Sequence, residues 1–107
     1  MVEPSQISSI TEKVKRVMSL YLQQYPDIHT DRDHLPLKIG EEWGECLQAY
    51  VMLTDRGRQK GKSKEEIREL LAQEIADVCA YLFLFADREG IDIAQAIEDK
   101  WMVHLDE

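Results

Sequence analysis

Two short acidic stretches hold the residues best suited to chemistry. One is Lys38-Ile39-Gly40-Glu41-Glu42-Trp43-Gly44-Glu45, and the other is Glu74-Ile75-Ala76-Asp77. Glu42 and Glu45 stand three residues apart, as do Glu74 and Asp77. On a helix that spacing puts both carboxylates on one face, about 5–6 Å apart at Cβ. Acids gathered in this way repel one another and need cations. An all-oxygen donor set suits Mg2+, with Mn2+ as the alternative. Di-iron bundles add a histidine in a Glu-x-x-His pair. No histidine stands at the matching positions, which disfavours iron.

The elements that must position these acids read as helices throughout. Ser5 is an N-cap candidate for a first helix over Gln6 to Gln24. Ile7, Ile10, Val14, Val17, Leu20 and Tyr21 form its apolar stripe, which reads as core. Tyr25 to Leu35 is a polar loop carrying Asp27, His29, Asp31, Asp33 and His34. Pro36 suits the first position of a second helix, which runs to about Thr54. Asp55 to Lys62 is a turn-rich basic connection. Ser63-Lys64-Glu65-Glu66 is a capping box for a third helix that ends near Glu89, with Gly90 as its stop. Asp92 with Gln95 is a second capping box for a fourth helix to about Leu105. No stretch alternates as a strand does. The expectation is an all-α fold of four-helix bundle type with a helical hairpin carrying the site, in a single domain over residues 1–107.

On a wheel of ~100° per residue, the second helix has an apolar arc of Ile39, Trp43, Cys46, Leu47, Tyr50 and Leu53. Glu42 sits on its shoulder, Glu45 lies beyond it, and Glu41 falls on the water side. The third helix has an arc of Ile67, Leu70, Leu71, Ile75, Val78, Leu82 and Phe85. Glu74 falls inside that arc and Asp77 on its shoulder. A carboxylate in an apolar arc is costly unless it is paired, protonated or metal-bound. In an antiparallel hairpin two residues are level when their numbers share a constant sum. Glu45 with Glu74 and Glu42 with Asp77 share the same one. Four carboxylates are thus expected at two adjacent levels.

The chain has 107 residues, 44% hydrophobic and 7% aromatic, an ordinary globular composition. Its net charge of −8 argues against polymeric nucleic acid as a partner. A small phosphorylated ligand remains compatible if metal ions carry the attraction. No segment reaches the roughly 18 apolar residues of a membrane span, and the first residues lack the pattern of a signal peptide. Cys46 and Cys79 read as reduced core thiols of a cytoplasmic protein. Ile75 to Ala86 is apolar nearly all round, as in a central or interface helix. Either a second subunit covers it or the first and fourth helices do.

Glu41-Glu42-x-x-Glu45 followed by Glu74-x-x-Asp77, in this helix order, resembles the signature of the MazG-like nucleoside triphosphate pyrophosphohydrolases of the all-α NTP pyrophosphatase superfamily. The likeness spans Ile10 to His104. It implies Mg2+-dependent hydrolysis of a nucleoside or deoxynucleoside triphosphate to the monophosphate and pyrophosphate, as house-cleaning of the nucleotide pool. It implies Glu42, Glu45, Glu74 and Asp77 as metal ligands, and a homodimer or dimer of dimers with a shared substrate site. Glu41 either orients the attacking water or is a surface glutamate. Lys38, level with Tyr81, either touches a phosphate or pairs with Glu42. Trp43 either stacks on a base or lies in the core. Lys100 matches a lysine that the family places near the phosphates. The asparagine and arginine that tend to follow it there are His104 and Glu107 here, so the phosphate clamp departs from the pattern. The basic residues Arg56, Arg58, Lys60, Lys62 and Lys64 are expected to be solvated, about 15 Å along the helix from Glu45. Other readings are a dUTPase-like or phosphoribosyl-ATP-type enzyme on the same scaffold, or a non-catalytic helical oligomer or nucleotide-binding regulator.

Overall fold

In the computed structural model, residues 5–28 and 30–106 are described. They form α1 (Gln6–Gln24), α2 (His34–Leu53), α3 (Lys64–Arg88), α4 (Ile93–Lys100) and a closing 3-10 turn (Met102–Asp106). The expected all-helical class is thus observed, with four α-helices and no strand among the described residues. His29, and Glu107 of the expected clamp, lie outside the described residues. The chain divides into two compact units, one of Met1–Thr30 with Phe83–Glu107 and one of Asp31–Leu82.

The unit of residues 31–82 carries both acidic stretches. α2 starts at His34, two residues before Pro36. The loop itself shapes that start: the Asp33 amide donates to Asp31 Oδ1 at 3.1 Å, and the His34 amide to the Asp31 carbonyl at 3.1 Å. Pro36 still lies in the first turn, where its missing N–H costs nothing. At the far end Thr54 Oγ1 donates to the Tyr50 carbonyl at 2.9 Å. Asp55 then turns the chain with φ at 61°, in the left-handed region where aspartate is one of the tolerated residues.

The connection back to α3 is stitched down. Gln59 Nε2 donates to the Met52 carbonyl at 2.7 Å, and Lys64 Nζ to the Leu53 carbonyl at 3.0 Å. Lys64 also pairs with Asp55. Gly57 has a steric reason to be glycine, because a Cβ there would come 2.9 Å from Val51 Cγ1. The expected capping box opens α3 and is reciprocal: the Ser63 amide donates to Glu66 Oε1 at 2.8 Å, and the Glu66 amide to Ser63 Oγ at 3.1 Å. The core of this unit is Leu35, Cys46, Ala49, Met52 and Ile67. Full burial of Ile67 contributes about 1.5–3 kcal/mol.

Here the wheel reading of α2 needs correction. Trp43, Leu47 and Tyr50 were expected in the buried arc, yet they are 52%, 43% and 46% exposed. The buried line is Leu35, Glu42, Cys46, Ala49 and Met52. The apolar arc of α2 is broader than the strip the hairpin covers. Packing chose the strip with the small residues Cys46 and Ala49, which puts Glu42 on the line rather than beside it. In α3, Ile75 and Leu82 are likewise exposed.

In the other unit, Ser5 caps α1 through a 3.0 Å bond from the Ser8 amide, as expected. The α1 stripe is only partly buried. Thr11 is covered, while Ile10, Val17, Leu20 and Tyr21 are exposed. Lys15 joins α1 to the end of α3 through a 3.2 Å ion pair with Asp87. α3 stops in a Schellman arrangement. Gly90 has φ at 73°, and the Ile91 amide donates to the Ala86 carbonyl at 2.8 Å. Asp92 caps α4 through the Gln95 amide at 3.1 Å. The Gln95 side chain binds Asp99 instead of returning to Asp92, so this box is one-sided. α4 is also shorter than expected. Past Lys100 the His104 amide donates to the Trp101 carbonyl at 3.2 Å, the tighter three-residue spacing common at helix ends.

Candidate metal centre

The two halves of the unit bring Glu42, Glu74 and Asp77 together. Each offers a carboxylate oxygen within 4.8 Å of the others'. Glu41, Glu42 and Glu45 form a second such group. Glu42 belongs to both and is the hinge of the site. The four expected ligands, together with Glu41, are therefore arranged as two triads sharing one carboxylate. Glu42 pairs with Asp77 across the hairpin as the level rule requires, whereas Glu45 gathers with its own helix neighbours. Glu41 is exposed, as expected, but belongs to the group rather than standing apart from it.

Burial grades the site. Glu42 is 7% exposed, Glu74 is half-buried, and Glu41, Glu45 and Asp77 face solvent. Two of the acids therefore form a floor and three a rim. Burial pushes the Glu42 carboxyl above its ordinary value. The neighbouring Glu45 pushes the same way, by charge and by a shared hydrogen bond, and Asp77 adds to it, while Lys38 pulls it down. Glu74 Oε2 is buried and has no hydrogen-bond partner. A buried polar atom left in that state costs about 1–3 kcal/mol, and the carboxyl that carries it is grouped with those of Glu42 and Asp77.

Lys38 stands one turn before Glu42. Its Nζ lies 3.3 Å from Glu41 Oε1 and 3.5 Å from Glu42 Oε1. It also sits 6.0 Å from the centre of the Tyr81 ring, the level partner expected from the sequence. Burial opposes its charge, but the Glu41 and Glu42 carboxylates and Tyr81 outweigh that and raise its pKa.

Trp43 is placed differently from the other site candidates. At ~100° per residue it points about 160° away from both Glu41 and Glu45. By the same count, taken from the buried Glu42–Cys46–Ala49 line of α2 and from buried Ile67 of α3, the exposed Trp43, Leu47 and Tyr50 fall on one side of the hairpin with Ile75 and Leu82. Lys38, Glu41, Glu45 and Asp77 take the opposite side. Arg56 stacks at 5.5 Å over Tyr50 on the apolar side, and a contact of this kind is not legible in the spacing. Lys100 is exposed in the last turn of α4, in the other compact unit. Cys46 is buried, Cys79 is half-buried, and both are free thiols.

The donor set is chemically consistent with a hard divalent cation. It is all carboxylate, converges from two helices, and includes Glu74, one of whose oxygens is buried without a hydrogen-bond partner. In comparisons with known proteins, no family model matches this chain, and no curated protein or solved structure matches it.

Proposed function

We propose that this chain is a MazG-like, Mg2+-dependent nucleoside triphosphate pyrophosphohydrolase. The carrying observation is Glu74 Oε2, a buried and unpartnered oxygen in a residue that joins Glu42 and Asp77 in one group. A helix built only for solubility has no use for such an atom. A cation ligated there removes its cost.

In this reading Glu42, Glu45, Glu74 and Asp77 hold Mg2+, or Mn2+ in its place. Bound ions supply charge neutralisation for a triphosphate and acidify a water. Glu41, on the exposed rim, accepts a proton from the water that attacks the α-phosphorus. The bond from that phosphorus to the bridging oxygen breaks, and pyrophosphate leaves. Lys38, beside Tyr81, donates to a phosphate oxygen.

The exposed apolar side of the hairpin supports self-association. Trp43, Leu47, Tyr50, Ile75 and Leu82 together make the kind of patch that monomers seldom leave open. Trp43 belongs to that patch, so in such a dimer it would lie at the contact between copies, on the side of the hairpin away from the acids. The reading is tested by measuring pyrophosphate release across a panel of ribo- and deoxyribonucleoside triphosphates with and without Mg2+. Release from at least one substrate, dependent on Mg2+ and lost in Glu74→Gln, is expected. Absence of release from the whole panel would leave the chain as a binding or structural oligomer.

A further inference from the structure

We infer that Lys38 is a placeholder cation: it holds Glu42 when no metal is present, opposes entry of a divalent ion, and transfers to the anionic oxygens of the ligand once that ion is seated. This rests on the metal reading above. Glu42 is the carboxylate common to both triads, and Lys38 Nζ lies 3.5 Å from its Oε1. An ion ligated by Glu42 therefore enters within a few ångströms of an ammonium group. At ~4 Å, with the effective dielectric of a protein surface, the repulsion between an ammonium and a dication lies well above thermal energy. The two cations cannot share that carboxylate at ease.

Lys38 has somewhere to go. Its other carboxylate partner, Glu41, is on the exposed rim, with 58% of its side chain accessible. The ammonium can keep Glu41 as a pivot while it leaves Glu42. The lysine is long, unbranched and 29% exposed, so the swing needs only side-chain rotation. After the swing the ammonium stands beside the metal group, where a phosphate oxygen is its natural partner. Loss of any ammonium beside the site raises metal affinity; what marks a placeholder is that the lysine itself moves when the ion enters.

Electron paramagnetic resonance of free Mn2+, titrated into the full chain at low salt, reads the competition without turnover. Lys38→Met should bind Mn2+ at least about tenfold more tightly than wild type. Lys38→Arg, which keeps the charge, should behave as wild type. The gap should close in 1 M salt, where the screening length is about 3 Å. Equal or weaker binding by Lys38→Met, beside measurable binding by wild type, overturns this inference alone. No Mn2+ binding by either protein overturns the metal reading with it. A second readout needs no neutral variant. In wild type the Lys38 13Cε resonance, assigned by its loss in Lys38→Arg, should move as Mg2+ is added. A stationary resonance at saturating Mg2+ overturns the placeholder role.

Discussion

The two sides of the α2–α3 hairpin arise from the same two helices and the same registry, yet they behave in opposite ways. On one side lie Lys38, Glu41, Glu45 and Asp77, grouped at short range around Glu42 and Glu74. On the other lie Trp43, Leu47, Tyr50, Ile75 and Leu82, all at least 40% exposed. The acidic side concentrates like charge and is short of cations. The apolar side is short of cover. Both deficits are costly in an isolated chain, and each names what would relieve it: a divalent ion on one side and a second apolar surface on the other. The buried line between them, Cys46, Ala49 and Ile67, is narrow, and that narrowness keeps the two sides distinct.

The sharpest way to break the comparison is through the acidic side. Partners that merely orient metal ligands are worth about 10–100-fold in affinity or activity, so loss of a ligand should cost at least about 100-fold. Glu74→Met should show that loss in Mg2+ affinity by calorimetry. It should also raise the stability of the metal-free chain by about 1–3 kcal/mol in urea, because an unsatisfied buried oxygen is removed. Lower stability with unchanged affinity would make Glu74 a structural residue.

A charge on the apolar side should act on assembly instead. Leu47→Arg is expected to shift the chain to a monomer in analytical ultracentrifugation and to leave Mn2+ affinity unchanged. A monomeric wild type, or a variant of unaltered mass, would remove the case for a second copy on that side.

The pH dependence of the metal-free chain separates the sides more finely. The Glu42 carboxyl is held above its ordinary value of 4.5, first by burial and then by Glu45. Between 4.5 and that raised value the folded chain binds more protons than the unfolded one, so stability falls as pH rises through the window. Glu42→Gln should flatten this slope in thermal melts. Saturating Mg2+ should reverse it, because the metal needs the ionised form. A slope that survives Glu42→Gln would assign it to other groups.

The smallest effect belongs to the frame that both sides share. Ser63→Ala removes half of a reciprocal cap and should cost about 1 kcal/mol of stability. Metal affinity should not change, since the cap sits near the hairpin's turn and not at the acids. A loss of affinity would show that the registry of α3 depends on its first turn.

Much of this was legible in the residues. Ser5, the Ser63–Glu66 box, Gly90 and Asp92 mark their helix ends because each satisfies backbone groups in a local way that sequence records. The level rule brought Glu42 to Asp77 and Lys38 to Tyr81, because an antiparallel hairpin fixes register by counting, but it did not bring Glu45 into one group with Glu74. The wheel failed for Trp43, Leu47 and Tyr50. Periodicity shows which face is apolar, not which part of a wide apolar face another helix will choose. That choice fell to Cys46 and Ala49, whose small size allows close approach. The end of α4 and the one-sided Asp92 cap were missed for a related reason. They depend on the competition of Gln95 for Asp99 and on tightening of a final turn, and residue type alone settles neither.

The central claim is that these carboxylates bind divalent cations as one group. An anomalous difference map from crystals of the full chain grown with Mn2+ tests it most directly. The account predicts a peak within bonding distance of oxygens from Glu42, Glu74 and Asp77 together. A map with no peak there, or with manganese only on scattered surface acids, would contradict it.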